Sequence, residues 1–106
     1  MDDATAYLFT RPGMGDAPAD LQLNLVAKFL DLLLESDECP RWLLFYADGV
    51  RLACEGSPVL AQLRALEERG TELVLCRTCL DYFGLGDQVA VGDPGGMPAI
   101  IEAMRQ

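Results

Sequence analysis

Short apolar runs alternate along this chain with longer segments of helical periodicity. The run RWLLFYA, residues 41–47, is apolar or aromatic after its first residue and ends at a D-G pair. Such a run is typical of a strand that is buried on both faces of a sheet. Residues 20–37, which precede it, carry Leu, Val and Phe at helical spacing. This alternation predicts an α/β fold with a mostly parallel sheet and helices on both faces.

The predicted sheet has about five strands. They are short runs rich in apolar residues, at residues 4–10, 41–47, 50–54, 71–75 and 88–91. The third run, VRLAC, is ambiguous. The D-G pair before it can close a hairpin, which would make it antiparallel, and it could equally be a short edge strand or an extended crossover. The segments RPGMGDAP and GDPGG are expected to be loops.

Three further helices are expected, at residues 57–69, directly after residue 79, and at residues 97–104. Ser57 is predicted to cap the first of these helices, with Pro58 at the first helical position. Gly70 is predicted to end it. Thr78 is expected to cap the short helix that follows the second cysteine of the C-x-x-C motif.

Length, charge and the N-terminal residues restrict the number of domains, the kinds of binding partner and the cellular location that we expect. The 106 residues fit a single domain spanning residues 1–106. A formal net charge of −9 argues against binding nucleic acid or an anionic membrane by bulk electrostatics. The N-terminal residues show no signal-peptide pattern. We therefore expect a cytoplasmic, reducing location, in which cysteines tend to be buried, reactive or metal-bound.

The loops after the predicted strands gather the residues that can carry chemistry. In open α/β sheets, ligands bind beyond the carboxyl ends of the strands. Those ends are predicted at residues 13–15, 48–49, 76–79 and 92–96. We expect a substrate, or the thiol-bearing tail of a partner, to bind at Gly15, Gly49, Thr78 and Gly92, since glycine allows close approach to the backbone.

Cys76 and Cys79 are the candidate catalytic residues. A thiolate is the reactive form of cysteine, and the pKa of a thiol falls at a helix start and beside a cation. Cys76 leaves a predicted strand with Arg77 beside it, and Cys79 lies in the first turn of the next helix. A packed, unreactive Cys76 is the alternative, because a free cysteine packs as a small hydrophobic residue. The pairing at this spacing favours reactivity.

The sequence gives less support to a thioredoxin-like redox site, a zinc site or a phosphate-binding loop. A thioredoxin-like C-x-x-C follows an early strand and opens a long helix, whereas this pair comes late and precedes a short one. A zinc site would need all four cysteines, because the chain has no histidine, and Cys39, Cys54 and Cys76 are irregularly spaced. We read Cys39 as incidental and Cys54 as a packed edge residue or a second relay thiol. No phosphate-loop motif is present, and we expect neither a cofactor nor a metal.

Several segments resemble a known family. These are GMGDAPADLQLNLVAKFLDLLLES, then LLFYADGVRLACEGSPVLAQLRALEERGTELVLCRTCLDYFGL, and VAVGDPGGM. The chain resembles the DsrE-like domain that forms the C-terminal half of YedF-type selenium-metabolism proteins. The most specific pieces are F-Y-x-x-G-V, E-G-S, C-x-T-C-L-D and V-G. The resemblance implies a three-layer α/β/α fold and kinship with cytoplasmic sulfur-relay proteins, in which a cysteine carries a persulfide between partners.

The resemblance also implies roles for individual residues. Cys76 matches the relay cysteine of the wider family, and Cys79 matches the additional cysteine of the YedF-like branch. The leading hypothesis is a sulfurtransferase-like carrier in which one cysteine accepts a sulfane sulfur and the other releases it as a disulfide forms. The rival hypothesis is a non-catalytic binding or assembly module of the same fold.

The expected partners are sulfur-donor and sulfur-acceptor proteins, a TusA-like protein among the candidates, because YedF-like proteins carry a TusA-like domain. Oligomers are common in the family that the chain resembles. We therefore expect a homo-oligomer, a dimer or a trimer, with Tyr82 or Phe83 at or near the interface.

Overall fold

The computed structural model describes residues 5–14, 16–36 and 40–105 and places the apolar runs in a parallel sheet. The strands lie side by side in chain order, and each is parallel to its neighbours. They are β1 (Ala6–Phe9), β2 (Trp42–Phe45), β3 (Glu72–Cys76) and β4 (Asp93–Gly95). The predicted α/β class is confirmed, and the sheet has 4 strands, close to the number expected.

Helices cover both faces of the sheet. They are α1 (Ala19–Glu35), α2 (Leu60–Glu68), α3 (Arg77–Phe83) and α4 (Met97–Arg105). The helices α1 and α2 contact each other, because each has a buried apolar face. In the described part of the chain, no helix is both long enough and apolar enough to span a membrane.

The start of α2 differs from the prediction. Ser57 is not the cap of this helix, which begins at Leu60 with Val59 in the cap position. The Ser57 hydroxyl instead accepts a hydrogen bond from the backbone N–H of Val59, at 3.3 Å. Pro58 therefore lies in the turn before the helix. At the other end, Gly70 adopts a φ of +105° just after the last residues of α2, as expected for a terminating glycine.

The core is centred on β2, all of whose residues are buried. Phe45 is aligned with Phe9 of β1 on one side and with Leu75 of β3 on the other. The rings of Phe9 and Phe45 stack with centroids 5.3 Å apart. Burial of each such side chain contributes roughly 1.5–3 kcal/mol, so this register is strongly favoured. It fixes the level at which β1, β2 and β3 end, and therefore where the loops after them meet.

Two of the predicted strands are wrong. Residues 50–54 are not extended: most of them belong to a 3-10 helix, Ala47–Ala53. Residues 88–91 form only an isolated antiparallel bridge, between Val89 and Cys54. The last strand is instead Asp93–Gly95, inside the segment that we expected to be a loop. Its proline is tolerated because β4 is at the edge of the sheet, where a missing N–H breaks no ladder.

Candidate functional site

The C-x-x-C motif lies at the carboxyl end of β3. Cys76 is the last residue of that strand and occupies the cap position of α3, with a φ of −61° and a ψ of 116°. No side chain caps this helix, and the prediction that Thr78 does so is wrong, because Thr78 lies inside α3 and is exposed. Gly84, in the left-handed conformation, ends the helix. The motif thus spans the strand-to-helix junction, as the sequence predicted.

The two thiols of the motif lie in the same site but differ in exposure. Cys76 is 2% exposed, whereas Cys79 is partly exposed. Both are free thiols, and Cys76 is near enough to Cys79 to raise the pKa of its thiol. The Sγ atom of Cys79 also accepts a hydrogen bond from the backbone N–H of Ala47, at 3.1 Å. Ala47 follows β2, so the site is formed by the ends of two neighbouring strands.

The electrostatics of Cys79 differ from the expectation. Burial raises the pKa of the Cys79 thiol above its ordinary value, and the contact with Cys76 raises it further. The N–H of Ala47 lowers this pKa, but does not outweigh burial. Arg77, expected to lower the pKa of the pair, instead directs its guanidinium to the backbone oxygen of Pro94, at 3.4 Å. The resting Cys79 is therefore a protonated thiol at neutral pH.

The glycines predicted to bind substrate are separated by the fold. Gly49 lies in the 3-10 helix, which contacts α3, so it belongs to the same edge of the sheet as the thiols. Gly92 does not: it packs against Leu73 near the amino end of β3, and its N–H donates to the carboxylate of Glu67 at 3.1 Å. Gly92 is therefore not beside the thiols, and Gly95, paired with Cys76, takes that place.

Gly15, a predicted binding residue, and Cys39, which we read as incidental, lie outside the described residues. Thr78 is exposed beside Cys79, where a substrate can reach it. Cys54 is 3% exposed and its thiol donates to the backbone oxygen of Val50 at 3.2 Å. Burial raises the pKa of Cys54, and these contacts are those of a packed residue. Within residues 5–14, 16–36 and 40–105, no group of three His, Cys, Asp or Glu side chains is placed to hold a metal ion.

Sequence reasoning missed two residues that shape the site. Ala47 has a φ of +53°, the one positive value for a non-glycine residue in the described chain, and alanine gives no sequence signal for such a conformation. Arg51 places its guanidinium over the ring of Phe83, 4.5 Å from the ring centre. It also pairs with Asp48 at 3.0 Å. The available signal for Arg51 was a cation three residues after Asp48 of the D-G pair. It becomes informative only when this segment is recognised as a 3-10 helix, which brings the two side chains together.

Comparison with known proteins identifies the family. The DsrE/DsrF-like family matches residues 4–106. The chain belongs to the DsrE/DsrF-like family. No curated protein matches the sequence. This family is associated in general with sulfur relay, which is a chemistry of cysteine sulfur.

Solved structures share the DsrE/DsrF-like fold. The ychN protein from E. coli is similar with a TM-score of 0.69 at 15% identity, covering 96% of this chain and 92% of that one. MTH1491, a protein of unknown function from Methanobacterium thermoautotrophicum, is similar with a TM-score of 0.62 at 17% identity, covering 95% and 92%. At these identities the likeness establishes the fold alone.

Proposed function

We propose that this protein relays a sulfane sulfur between partner proteins through Cys76 and Cys79. The observation that carries the proposal is a pair of free thiols at the carboxyl edge of the sheet, one of them partly exposed. Membership of a family associated with sulfur relay supports it. The raised pKa of Cys79 is compatible with this role, because a thiolate of higher pKa is intrinsically the stronger nucleophile.

The proposed transfer conserves atoms and electrons. A protein thiolate attacks the outer sulfur of a donor persulfide, R–S–SH. The donor S–S bond breaks, its electron pair stays on the inner sulfur, and the donor leaves as a thiol. An acceptor thiolate then attacks the outer sulfur of the protein persulfide in the same way. In the alternative release, the second cysteine attacks the inner sulfur and expels hydrosulfide, and a reducing thiol must reopen the resulting disulfide.

Intact-mass measurement tests the proposal. The wild-type protein is incubated with glutathione persulfide, capped with iodoacetamide and weighed. We expect the added mass of one sulfur atom, and no such addition on the Cys76→Ser/Cys79→Ser double variant. Cys54→Ser is the matched control and should still take up sulfur. A wild type with neither added sulfur nor a new disulfide between Cys76 and Cys79, or equal uptake by the double variant, rejects the function.

The partners and the branch of the family are part of the proposal. The segment C-x-T-C-L-D resembles the YedF-like branch, so we propose a TusA-like protein as a donor or acceptor and a link to selenium metabolism. A relay through free thiols requires a reducing compartment, and we place it in the cytoplasm. We further propose a dimer or trimer with Tyr82 at the interface, since Tyr82 is 84% exposed close to the thiols.

A docking or assembly module is the second candidate function. The exposure of Tyr82 and the protonated state of Cys79 favour it. Alkylation as a function of pH does not separate the two functions, because burial raises the thiol pKa under both. Sulfur uptake does separate them: a docking module binds its partner without taking up sulfur, and the double serine variant binds as the wild type does.

A further inference from the structure

The two sulfur atoms of the motif have unequal access to a protein or small-molecule donor. Cys76 ends a strand next to the buried Leu75 and is 2% exposed. Cys79 is one turn into α3 and partly exposed. In-line attack on a donor persulfide needs an open path to the attacking sulfur. Because Cys79 is the more exposed of the two thiols, its sulfur has that open path.

The backbone amide that contacts Cys79 is held in place by the loop around it. Ala47 has a φ of +53°, a conformation that costs an alanine energy and persists only where the surroundings impose it. The preceding residue, Tyr46, donates its N–H to Phe9 at 3.1 Å and accepts the N–H of Gly49 at 3.0 Å. These bonds anchor the turn to β1. The amide of Ala47 is therefore directed at the sulfur by the fold.

A second contact ties the same loop to the helix that carries Cys79. The guanidinium of Arg51 lies over the ring of Phe83, 4.5 Å from its centre, and Phe83 is one turn beyond Cys79 in α3. A cation over an aromatic ring is worth about 0.5–1 kcal/mol when exposed. The 3-10 helix and α3 are thus joined at the Cys79 sulfur and again one turn beyond it.

We propose that Cys79, rather than Cys76, carries the sulfane sulfur, and that the N–H of Ala47 is the positioning group that stabilises its thiolate. This inference rests on the proposed relay function. When an acceptor thiolate attacks the outer sulfur of the Cys79 persulfide, the S–S bond breaks and its electron pair returns to Cys79 Sγ. The negative charge then develops on the atom that already accepts the Ala47 hydrogen bond. A preorganised donor at a site of developing charge favours that step.

Cys76 has a different part in this scheme. It is the buried member of the pair, in a position that a donor protein does not reach. It can attack the inner sulfur of the Cys79 persulfide when no acceptor is present, which expels hydrosulfide and leaves the disulfide. Cys76 is thus the resolving thiol of the pair.

Peptide mapping of the sulfurated wild type assigns the carrier. Trypsin cleaves after Arg77, so Cys76 and Cys79 fall on different peptides. The protein is loaded with glutathione persulfide, capped with iodoacetamide, and digested. We expect the added sulfur on the peptide that begins at Thr78, and uptake by Cys76→Ser but not by Cys79→Ser. Sulfur on the Cys76 peptide overturns the assignment while leaving the relay intact. Absence of uptake by the wild type and by both single serine variants rejects the relay itself.

Substitution at position 47 tests the positioning role. Ala47→Gly keeps the N–H and accepts a positive φ, so it is the matched control. Ala47→Val strains the same conformation and displaces the amide. We expect Ala47→Val to slow sulfur release to an acceptor thiol by roughly tenfold or more, the value of a hydrogen bond to a charged group. Its Cys79 alkylation profile should move to higher pH, because loss of the donor disfavours the thiolate. Release and alkylation profiles equal to those of Ala47→Gly overturn the role.

A second measurement covers the case in which Ala47→Val does not fold. The backbone amide signal of Ala47 is followed by NMR in the wild type and in Cys76→Ser before and after loading. Sulfuration of Cys79 should shift that signal in both proteins, since it changes the acceptor of the hydrogen bond. An unchanged signal in fully loaded protein overturns the role of Ala47.

Discussion

Replacement of Gly49 by alanine tests the geometry that brings the 3-10 helix to the thiols. A Cβ atom at this position would lie 2.0 Å from the backbone oxygen of Phe9 and 2.6 Å from its carbonyl carbon. Ordinary contacts of a Cβ begin at 3.4 Å, so the two segments must separate by more than an ångström. The atoms met are backbone, and no rotamer change relieves the clash. The sequence predicts a substrate-binding glycine here, and the structure adds a packing requirement at the same position.

The loss of stability in Gly49→Ala can be worked out from the contacts that are disrupted when the 3-10 helix moves away from β1. Overpacking of this kind costs typically 1–3 kcal/mol. The hydrogen bond from Tyr46 to Phe9, now 3.1 Å, must lengthen as well, at about 1 kcal/mol. We therefore expect Gly49→Ala to lower the free energy of unfolding by about 2–4 kcal/mol. For a domain of this size that corresponds to a fall in Tm of roughly 10 °C or more.

Urea and thermal unfolding followed by circular dichroism measure the effect. Gly86→Ala is the control, because a Cβ there meets nothing within 4 Å and its φ is not in the left-handed region. It should change the free energy of unfolding by no more than about 0.5 kcal/mol. If Gly49→Ala is as stable as Gly86→Ala, the close approach of the 3-10 helix to β1 is wrong, and the placement of Ala47 fails with it.

Three further predictions concern other parts of the molecule. Thr71→Val removes the buried hydrogen bond, 2.7 Å long, from the Thr71 hydroxyl to the backbone oxygen of Pro40, and should lower the free energy of urea unfolding by about 1–2 kcal/mol. Thr71→Ser keeps the hydroxyl and should lower this free energy less. Equal decreases in the two variants would contradict the role of the bond. Burial raises the pKa of Cys54 in the folded state, so the stability that this thiol contributes is complete below the ordinary thiol pKa and is lost as pH rises through the raised pKa. In Cys54→Ala, the free energy of unfolding should therefore fall less steeply with pH in the alkaline range. An unchanged pH dependence would refute the raised pKa of Cys54. Light scattering coupled to size exclusion should give a dimer or trimer that Tyr82→Ser weakens; a mass near 11.6 kDa at all micromolar concentrations would reject the oligomer.

The strands that lead into the thiol site could be predicted because a continuous apolar run in the sequence marks the segment that is buried in the core. The run around Phe45 is apolar at every position, and every residue of β2 is buried. The run before Cys76 ends at a strand-to-helix junction in both the prediction and the structure. Burial on both faces leaves such runs no alternative placement in a domain of this size.

The last strand could not be predicted, because its residues have no preference for extended structure. Asp93, Pro94 and Gly95 are all depleted in strands, and they pair with β3 because its edge is available. The apolar residues 88–91 are used elsewhere. The N–H groups of Ala90 and Val91 donate to the oxygen of Ala53, at 2.9 and 3.2 Å. A tertiary contact thus overrides local propensity in both segments.

The geometry of the site depended on long-range contacts that the sequence does not encode locally. The positive φ of Ala47 arises from the anchoring of its loop to β1, and alanine rarely adopts it. The direction of the Cys79 pKa depends on how deeply the sulfur is covered, which spacing alone does not reveal. The place of the two cysteines at a strand-to-helix junction was predictable, whereas their difference in exposure and hydrogen bonding required the structure.

Transfer of labelled sulfur through the protein tests the central claim most directly. Glutathione persulfide carrying a heavy isotope in its outer sulfur is given to the wild type, the excess is removed, and a TusA-like acceptor protein is added. Mass spectrometry should show the heavy sulfur first on this protein and then on the acceptor, with Cys79→Ser transferring none. Label that stays on the protein, is released only as hydrosulfide, or reaches the acceptor equally with the Cys76→Ser/Cys79→Ser variant would contradict a sulfur relay.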